Sequence, residues 1–170
     1  MPQPPFLQAK VLTVSDSIAA GSREDLSGMA LVNRLDVGGF EVIEHRVVPD
    51  NVGEISNALS YMAYGFNGLI LTTGGSGFGP RDFTPEATQR ILDRTAPGMA
   101  EAMRSVSPRG RMSRAQAGTR GPALILNLGS APERALEMLE AVLDVIPEAL
   151  ELLGGGSAPT VDAVELTSAD

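Results

Sequence analysis

Four short runs rich in apolar residues recur along the chain, and polar residues, glycine or proline follow each of them. They predict β-strands at 9–14, 40–48, 68–73 and 123–128. The runs at 68–73 and 123–128 are apolar at nearly every position. That pattern is typical of strands buried on both faces of a parallel sheet.

Segments with the apolar spacing of helices lie between and after these strands. They are predicted at 26–37, at 52–64, from 84 onward, at 98–106 and at 132–153. Pro147 lies inside the last segment and predicts a kink or a break there. The sequence leaves residues 111–119 ambiguous.

Strands that alternate with helices indicate a three-layer α/β/α domain, doubly wound around a mostly parallel sheet. The domain is predicted to span 7–153, and the glycine-led segment 154–170 is predicted to be a flexible tail. Ligands bind such sheets beyond the carboxyl ends of the strands. The loops expected at that edge are 15–16, 49–50, 73–82 and 127–132.

Composition narrows the classes of function. The chain has 170 residues and no cysteine, which suits one domain and excludes disulfides, thiolate metal sites and thiol chemistry. The net charge of -8 argues against a general nucleic-acid binder. No apolar run is long enough for a membrane span, and the N-terminus lacks a secretory pattern, so we expect a cytoplasmic protein.

Positive charge is concentrated in one segment. Residues 81–120 contain eight arginines and four acidic residues, although the whole chain is acidic. These arginines either bind a small anion or are solvated and paired with acids elsewhere. Charge alone favours the second interpretation.

A glycine-rich loop follows the third predicted strand and precedes the helix at Thr84. Its glycines are Gly74, Gly75, Gly77 and Gly79. A strand, a glycine-rich turn and a helix N-terminus together form an anion cradle, because backbone N–H groups can face a ligand there. The loop matches neither the Walker pattern nor the dinucleotide fingerprint, so a flexible connection is the alternative.

Asp82 in this loop suggests a cation. Thr84 is predicted as the N-cap, with Pro85 as the first helical residue, so Asp82 has no capping role. A carboxylate beside phosphate suggests Mg²⁺. Otherwise Asp82 would interact with the helix dipole or with Arg81. Asp50, in a Pro-Asp-Asn turn, and Asp16 are open to structural or binding roles. The single histidine, His45, is interpreted as structural.

The segment LTTGGSGFGPRDFTPEAT, residues 71–88, resembles the signature of the MogA/MoaB molybdenum cofactor biosynthesis proteins, which are related to the G domains of plant Cnx and gephyrin. The segments VLTVSDS, VVPDN, PGMAEAMR, SRAQAGTRG and LILNL follow in the order of that family. The resemblance covers roughly residues 9–153 and implies the three-layer α/β fold of the family.

The resemblance also implies an activity. Family members bind molybdopterin and Mg-ATP, transfer AMP to the terminal phosphate of the pterin and release pyrophosphate. The resemblance implies a homotrimer, a MoeA-type insertase as partner, and Mg²⁺ with ATP as co-substrate. Adenylyl transfer needs positioning and charge neutralisation, for which an arginine-rich segment is suited.

Residue by residue, the family's two functional aspartates fall on Asp50 and Asp82, with Asp82 as a possible Mg²⁺ ligand. The predicted substrate and nucleotide contacts are Ser15, Asp16, Thr73, Gly74, Gly75, Ser76, Gly77, Ser113, Arg114, Gly118 and Asn127. Of these, Ser113, Arg114 and Gly118 match a segment near the pterin.

Two positions depart from the family pattern. Ser76 replaces a frequent threonine and keeps a hydroxyl group. Gly129-Ser130 replaces the Pro-Gly of a turn at the ligand edge. Two other functions stay open: a MoaB-like pterin-binding protein with little or no catalysis, and a flavodoxin-like flavin or nucleotide-binding module. Two tyrosines and no tryptophan offer few rings to stack on a flavin.

Overall fold

A computed structural model describes residues 7–155 of the chain. Most of the segment predicted to be a flexible tail, 156–170, therefore lies outside the described residues. The strands are β1 (Leu7–Val14), β2 (Phe40–Val48), β3 (Leu69–Thr73), β4 (Arg94–Thr95), β5 (Ala117–Arg120) and β6 (Ala123–Leu128). The helices are α1 (Asp16–Ala19), α2 (Leu26–Val37), α3 (Val52–Ala63), α4 (Thr84–Ile91), α5 (Pro97–Arg104), α6 (Pro132–Glu140) and α7 (Ile146–Leu153), and a 3-10 helix covers Pro108–Met112.

The strands form one sheet in the order β2-β1-β3-β6-β5-β4. Strands β2, β1, β3 and β6 are parallel, whereas β5 runs antiparallel to β6 and β4 antiparallel to β5. The prediction of a mostly parallel sheet is confirmed. Because β1, β2, β3 and β6 point the same way, the loops that follow them share one edge of the sheet.

Helices cover both faces of the sheet. Helices α2, α5, α6 and α7 pack on one face through buried residues such as Leu31, Met103 and Leu139. Helices α3 and α4 pack on the other face through residues such as Ile55 and Ile91. The predicted three-layer α/β/α class is confirmed. Within residues 7–155, every helix is too short or too polar to reach across a lipid bilayer.

The C-terminal half differs in detail from the sequence prediction. The break predicted within 132–153 is confirmed, because this segment forms two helices, α6 and α7, with Pro147 in the first turn of α7. A proline is tolerated there because its missing N–H has no helical partner. The ambiguous segment 111–119 contains the end of the 3-10 helix and the start of β5. Neither β4 nor β5 was predicted, since both are short: β4 has two residues and β5 has four.

The predicted N-cap role of Thr84 is wrong. Phe83 occupies the N-cap position of α4, and Thr84 is the first helical residue. The Thr84 hydroxyl instead donates to the carbonyl of Gly74 at 2.8 Å. A local capping rule could not foresee this, because the acceptor lies ten positions earlier, at the other end of the glycine loop.

Asn127 is a buried structural residue. Its Nδ2 donates to the hydroxyls of Thr72 and Thr88, each at 3.0 Å. Its Oδ1 accepts from the N–H of Gln116 at 3.0 Å, and the side chain is fully buried. These bonds tie β3, α4 and the segment before β5 together. The side chain of Asn127, predicted as a ligand contact, therefore has no exposed atom to offer a ligand.

We predict that Asn127→Ala lowers the free energy of unfolding by about 2–4 kcal/mol, because three hydrogen bonds are lost and their partners stay buried. Urea unfolding measures this loss. Asn33→Ala is the matched control, since Asn33 is exposed on α2 and should change stability by less than about 0.5 kcal/mol. Equal effects of the two substitutions would contradict a structural role for Asn127.

Candidate functional site

A cavity of about 170 Å³ lies at the carboxyl edge of the sheet. All four strand-end loops contribute to its wall. The lining residues that the sequence had predicted are Ser15, Thr73, Gly74, Gly75, Asp50 and Asp82. Arg23, Ser27 and Ser130 also line it and were not predicted as site residues. Of these three residues, the sequence singled out only Ser130, as part of the turn after β6 that departs from the family pattern.

Two glycines of the glycine loop (residues 74–82) adopt left-handed backbone conformations, with φ of 99° at Gly74 and 68° at Gly75. A Cβ at Gly74 would lie 2.2 Å from the carbonyl oxygen of Val14. A Cβ at Gly75 would lie 2.4 Å from the Thr84 hydroxyl and 2.8 Å from Asp50 Oδ1. These positions need glycine for conformation and for space.

Helix α4 closes the glycine loop from its far end. The N–H of Thr84 donates to the carbonyl of Gly75 at 3.0 Å, beside the bond from its hydroxyl to Gly74. Within residues 7–155, the N–H groups of Gly75, Ser76 and Gly77 donate no hydrogen bond. Adjacent unpaired N–H groups in a glycine turn are suited to binding an anion.

Asp82 folds back into the glycine loop. Its Oδ2 accepts from the N–H of Gly79 at 2.8 Å, and its N–H donates to the carbonyl of Gly79 at 3.1 Å. Asp82 therefore has a structural role in the loop, although its lack of a capping role had suggested that it has none. Its Oδ1 accepts no hydrogen bond in the described part of the chain. That oxygen is available to a cation.

Asp50 is the most perturbed carboxylate of the cavity. Its Oδ1 is buried and has no hydrogen-bond partner among the described residues. Burial, followed by the negative charges of Asp16 and Asp82, raises the pKa of Asp50 to about 6. A buried acceptor without a partner, in an acidic cluster, is an expected place for a bound cation.

Asp16 supports Asp50 rather than facing the cavity. Its Oδ1 accepts from the N–H of Asp50 at 3.0 Å, and Arg81 donates to its Oδ2 at 2.6 Å and to its Oδ1 at 3.1 Å. Arg81 also donates to the carbonyl of Asp50 at 3.0 Å. The hydrogen bond from Arg81 lowers the pKa of Asp16 from its usual value.

Arg81 is therefore a residue whose role the sequence prediction missed. Its partner is Asp16, not the neighbouring Asp82 that the sequence had offered as an alternative. The pair joins the loops after β1 and β3 and holds the loop after β2 between them. Its one sequence signal is a lone arginine within a glycine loop.

Comparison with known proteins identifies the family of this chain. The family model that matches residues 10–158 is described as a probable molybdopterin binding domain. The chain belongs to this family. The resemblance to the MogA/MoaB proteins is confirmed.

The relatives include molybdopterin adenylyltransferases and a much longer protein, gephyrin. The chain is 38% identical to the molybdopterin adenylyltransferase of Helicobacter pylori over 152 residues, which is 85% of this chain and 86% of that protein. It is 37% identical to gephyrin of Dictyostelium discoideum over 157 residues, which is 84% of this chain and 22% of gephyrin. The crystal structure of the molybdopterin biosynthesis enzyme MoaB from Thermus thermophilus is 46% identical, with a TM-score of 0.83 over 88% of this chain and 98% of that chain.

The remaining residues that the family resemblance had marked lie outside the small cavity. Ser113 lines a second, wider cleft of about 830 Å³, together with Arg104 and Arg111. Gly118 lies in β5, where a Cβ would come within 2.3 Å of the carbonyl oxygen of Arg94, so its role is in strand packing. The N–H of Arg114 donates to the carbonyl of Ser76 at 2.9 Å, which places the second cleft next to the glycine loop.

Asp50 and Asp82 have the chemistry that Mg²⁺ requires. Each offers a carboxylate oxygen without a protein partner among the described residues. Residues 7–155 contain no group of three or more acidic, histidine or cysteine side chains placed around one metal position. Two carboxylates that leave the other positions to water and phosphate oxygens are typical of Mg²⁺ sites.

We predict that Asp50→Asn stabilises the protein above pH 6. The raised pKa means that the folded state is favoured while Asp50 is protonated, and that this advantage is lost as the pH rises from about 4 through 6. At pH 8 the variant should be more stable than wild type by about 1–2 kcal/mol, after allowance for partial exposure to solvent. The difference should shrink toward pH 4.

Urea unfolding of both proteins from pH 4 to pH 8, without divalent cations, measures this difference. Asp36→Asn is the matched control, because Asp36 is exposed on α2 and its variant should show no such trend. A difference that is independent of pH would contradict the assigned cause.

Proposed function

We propose that this protein is a molybdopterin adenylyltransferase of molybdenum cofactor biosynthesis. It transfers AMP from ATP to the terminal phosphate of molybdopterin and releases pyrophosphate. The observation that carries the proposal is the buried, unpartnered Oδ1 of Asp50, which faces Gly75 in the glycine loop next to Asp82. Relatives that are molybdopterin adenylyltransferases support it.

The small cavity suits the triphosphate of ATP. The free N–H groups of Gly75, Ser76 and Gly77 would donate to phosphate oxygens, and Arg23 in the cavity wall adds positive charge. Asp50 and Asp82 would hold Mg²⁺, which offsets the charge of the phosphates. The second cleft, with Ser113 at its border, has room for the pterin.

The chain has to position two anions rather than supply a nucleophile. In the reaction, an oxygen of the molybdopterin phosphate forms a bond to the α-phosphorus of ATP, and the bond from that phosphorus to the β-phosphate oxygen breaks. The attacking oxygen is already ionised at neutral pH, so no general base is needed. The glycine loop lies between the two clefts and would hold the reacting groups in line.

The family resemblance also supports finer proposals: a homotrimer, a cytoplasmic location and transfer of the adenylylated product to a MoeA-type insertase. The alternative function is a MoaB-like molybdopterin-binding protein with weak or no catalysis. The observation behind this alternative is the similarity to MoaB, since the chain is 46% identical to the Thermus MoaB structure.

We predict that Asp82→Asn and Asp50→Asn each lower turnover by at least about 100-fold, because each removes a carboxylate that would hold the Mg²⁺ that neutralises the phosphates. The assay follows pyrophosphate release and adenylylated product from ATP, molybdopterin and Mg²⁺. Chelation of Mg²⁺ should abolish wild-type turnover.

Asp36→Asn again serves as the matched control, since it removes the same charge far from the cleft and should keep wild-type turnover. Wild-type activity in Asp82→Asn would overturn the role of Asp82. Molybdopterin binding by the wild-type protein without pyrophosphate release would favour the binding-only alternative.

A further inference from the structure

Arg114 spans the glycine loop from the outside. Its Nε donates to the carbonyl of Gly77 at 2.7 Å, and its Nη2 donates to the carbonyl of Asp82 at 2.7 Å. Its own N–H donates to the carbonyl of Ser76. One residue of a distant segment therefore binds three carbonyls of the loop, at both ends of the turn that carries Asp82.

Glu86 fixes the orientation of this guanidinium. Its carboxylate on α4 pairs with Nη1 of Arg114, and that hydrogen bond lowers the pKa of Glu86 from its usual value. The planar fork of Arg114 is thus engaged along Nε, Nη1 and Nη2 at once. A planar, forked donor set of this kind is specific to arginine, because lysine offers one compact ammonium group.

Arg114 itself lines neither of the two clefts. Its effect on the site runs through the loop: the carbonyl that it holds belongs to Asp82, whose carboxylate is set by the Gly79 N–H. If that carbonyl were released, the turn from Gly77 to Asp82 would lose its outer support. The distance between the carboxylates of Asp82 and Asp50 would then no longer be fixed.

We propose that Arg114 is a positioning residue that clamps the glycine loop and sets Asp82 over the cavity, without contacting a substrate. Its importance for adenylyl transfer rests on the proposed function. The clamp itself is a property of the free protein and can be measured there. This role differs from the ligand contact that the family resemblance had suggested for Arg114.

The first measurement is amide hydrogen exchange at Gly79 and Asp82, whose N–H groups donate hydrogen bonds within the turn, in the free protein without ATP, Mg²⁺ or molybdopterin. We expect faster exchange in both Arg114→Gln and Arg114→Lys, because neither side chain can hold the two carbonyls and Glu86 together. Glu86→Gln should give a smaller increase, and the double variant Glu86→Gln/Arg114→Gln should add nothing to Arg114→Gln.

The second measurement is steady-state transfer with the same variants. We expect kcat to fall by about 100-fold in Arg114→Lys and in Arg114→Gln, with little change in KM for ATP, since a misplaced Asp82 affects the reacting geometry. The matched controls are Arg109→Lys and Arg109→Gln. Arg109 lies in the same arginine-rich segment, and its side chain makes no hydrogen bond within residues 7–155.

Two results would overturn the clamp. One is wild-type exchange in the free Arg114→Gln protein. The other is an Arg114→Lys variant that keeps wild-type exchange and kcat, which would mean that positive charge alone suffices, as in a direct ligand contact. A wild-type protein without transfer activity would overturn the proposed function instead, and the exchange data would still decide the clamp.

Discussion

Gly75 packs against the side chains of Thr84 and Asp50, which the site needs close together. A Cβ at Gly75 would lie 2.4 Å from Thr84 Oγ1 and 2.8 Å from Asp50 Oδ1, so the position has no room for a side chain. This contact joins the loop after β2 to the loop after β3 and presses both against the start of α4. The cavity, the unpaired N–H groups and the buried carboxylate oxygen all depend on it. A glycine here is a packing requirement as much as a conformational one.

The charges around the cavity follow from the same packing. Three aspartates from three loops converge at one edge of the sheet, and their mutual repulsion has to be offset. Arg81 offsets part of it by pairing with Asp16, while Asp50 stays without a hydrogen-bond partner for its buried oxygen. In the free protein the negative charge at Asp50 is therefore not offset, at a position where a divalent cation bound together with phosphate would offset it.

Local patterns in the sequence were enough for the four parallel strands, the sheet edge and the glycine loop, because apolar runs and glycine turns carry their own signal. They failed where a side chain bonds to a distant partner. Thr84 fits the local rule for an N-cap, but its hydroxyl donates across the loop to the carbonyl of Gly74. Arg81 pairs with Asp16, which lies 65 positions earlier in the chain. Asn127 lies at the end of a strand, where ligand contacts are common, yet its side chain is fully buried in the folded protein. The sequence likewise shows the arginines only as a concentration of positive charge and does not indicate the groups with which they pair.

The central pairing of β3 with β6 joins Leu69 to Leu124 and so closes a long stretch of chain. Such a closure loses conformational entropy before the paired strands stabilise it, which makes it a slow step of folding. The glycine loop, Arg81 and Arg114 all lie within that stretch. Until β6 pairs with β3, the start of the glycine loop lacks the hydrogen bonds from Thr73 to the carbonyl of Gly129 and from Ser76 to the carbonyl of Leu128. We therefore expect the glycine loop to reach its final position late in folding, after the long-range pairing of β3 with β6.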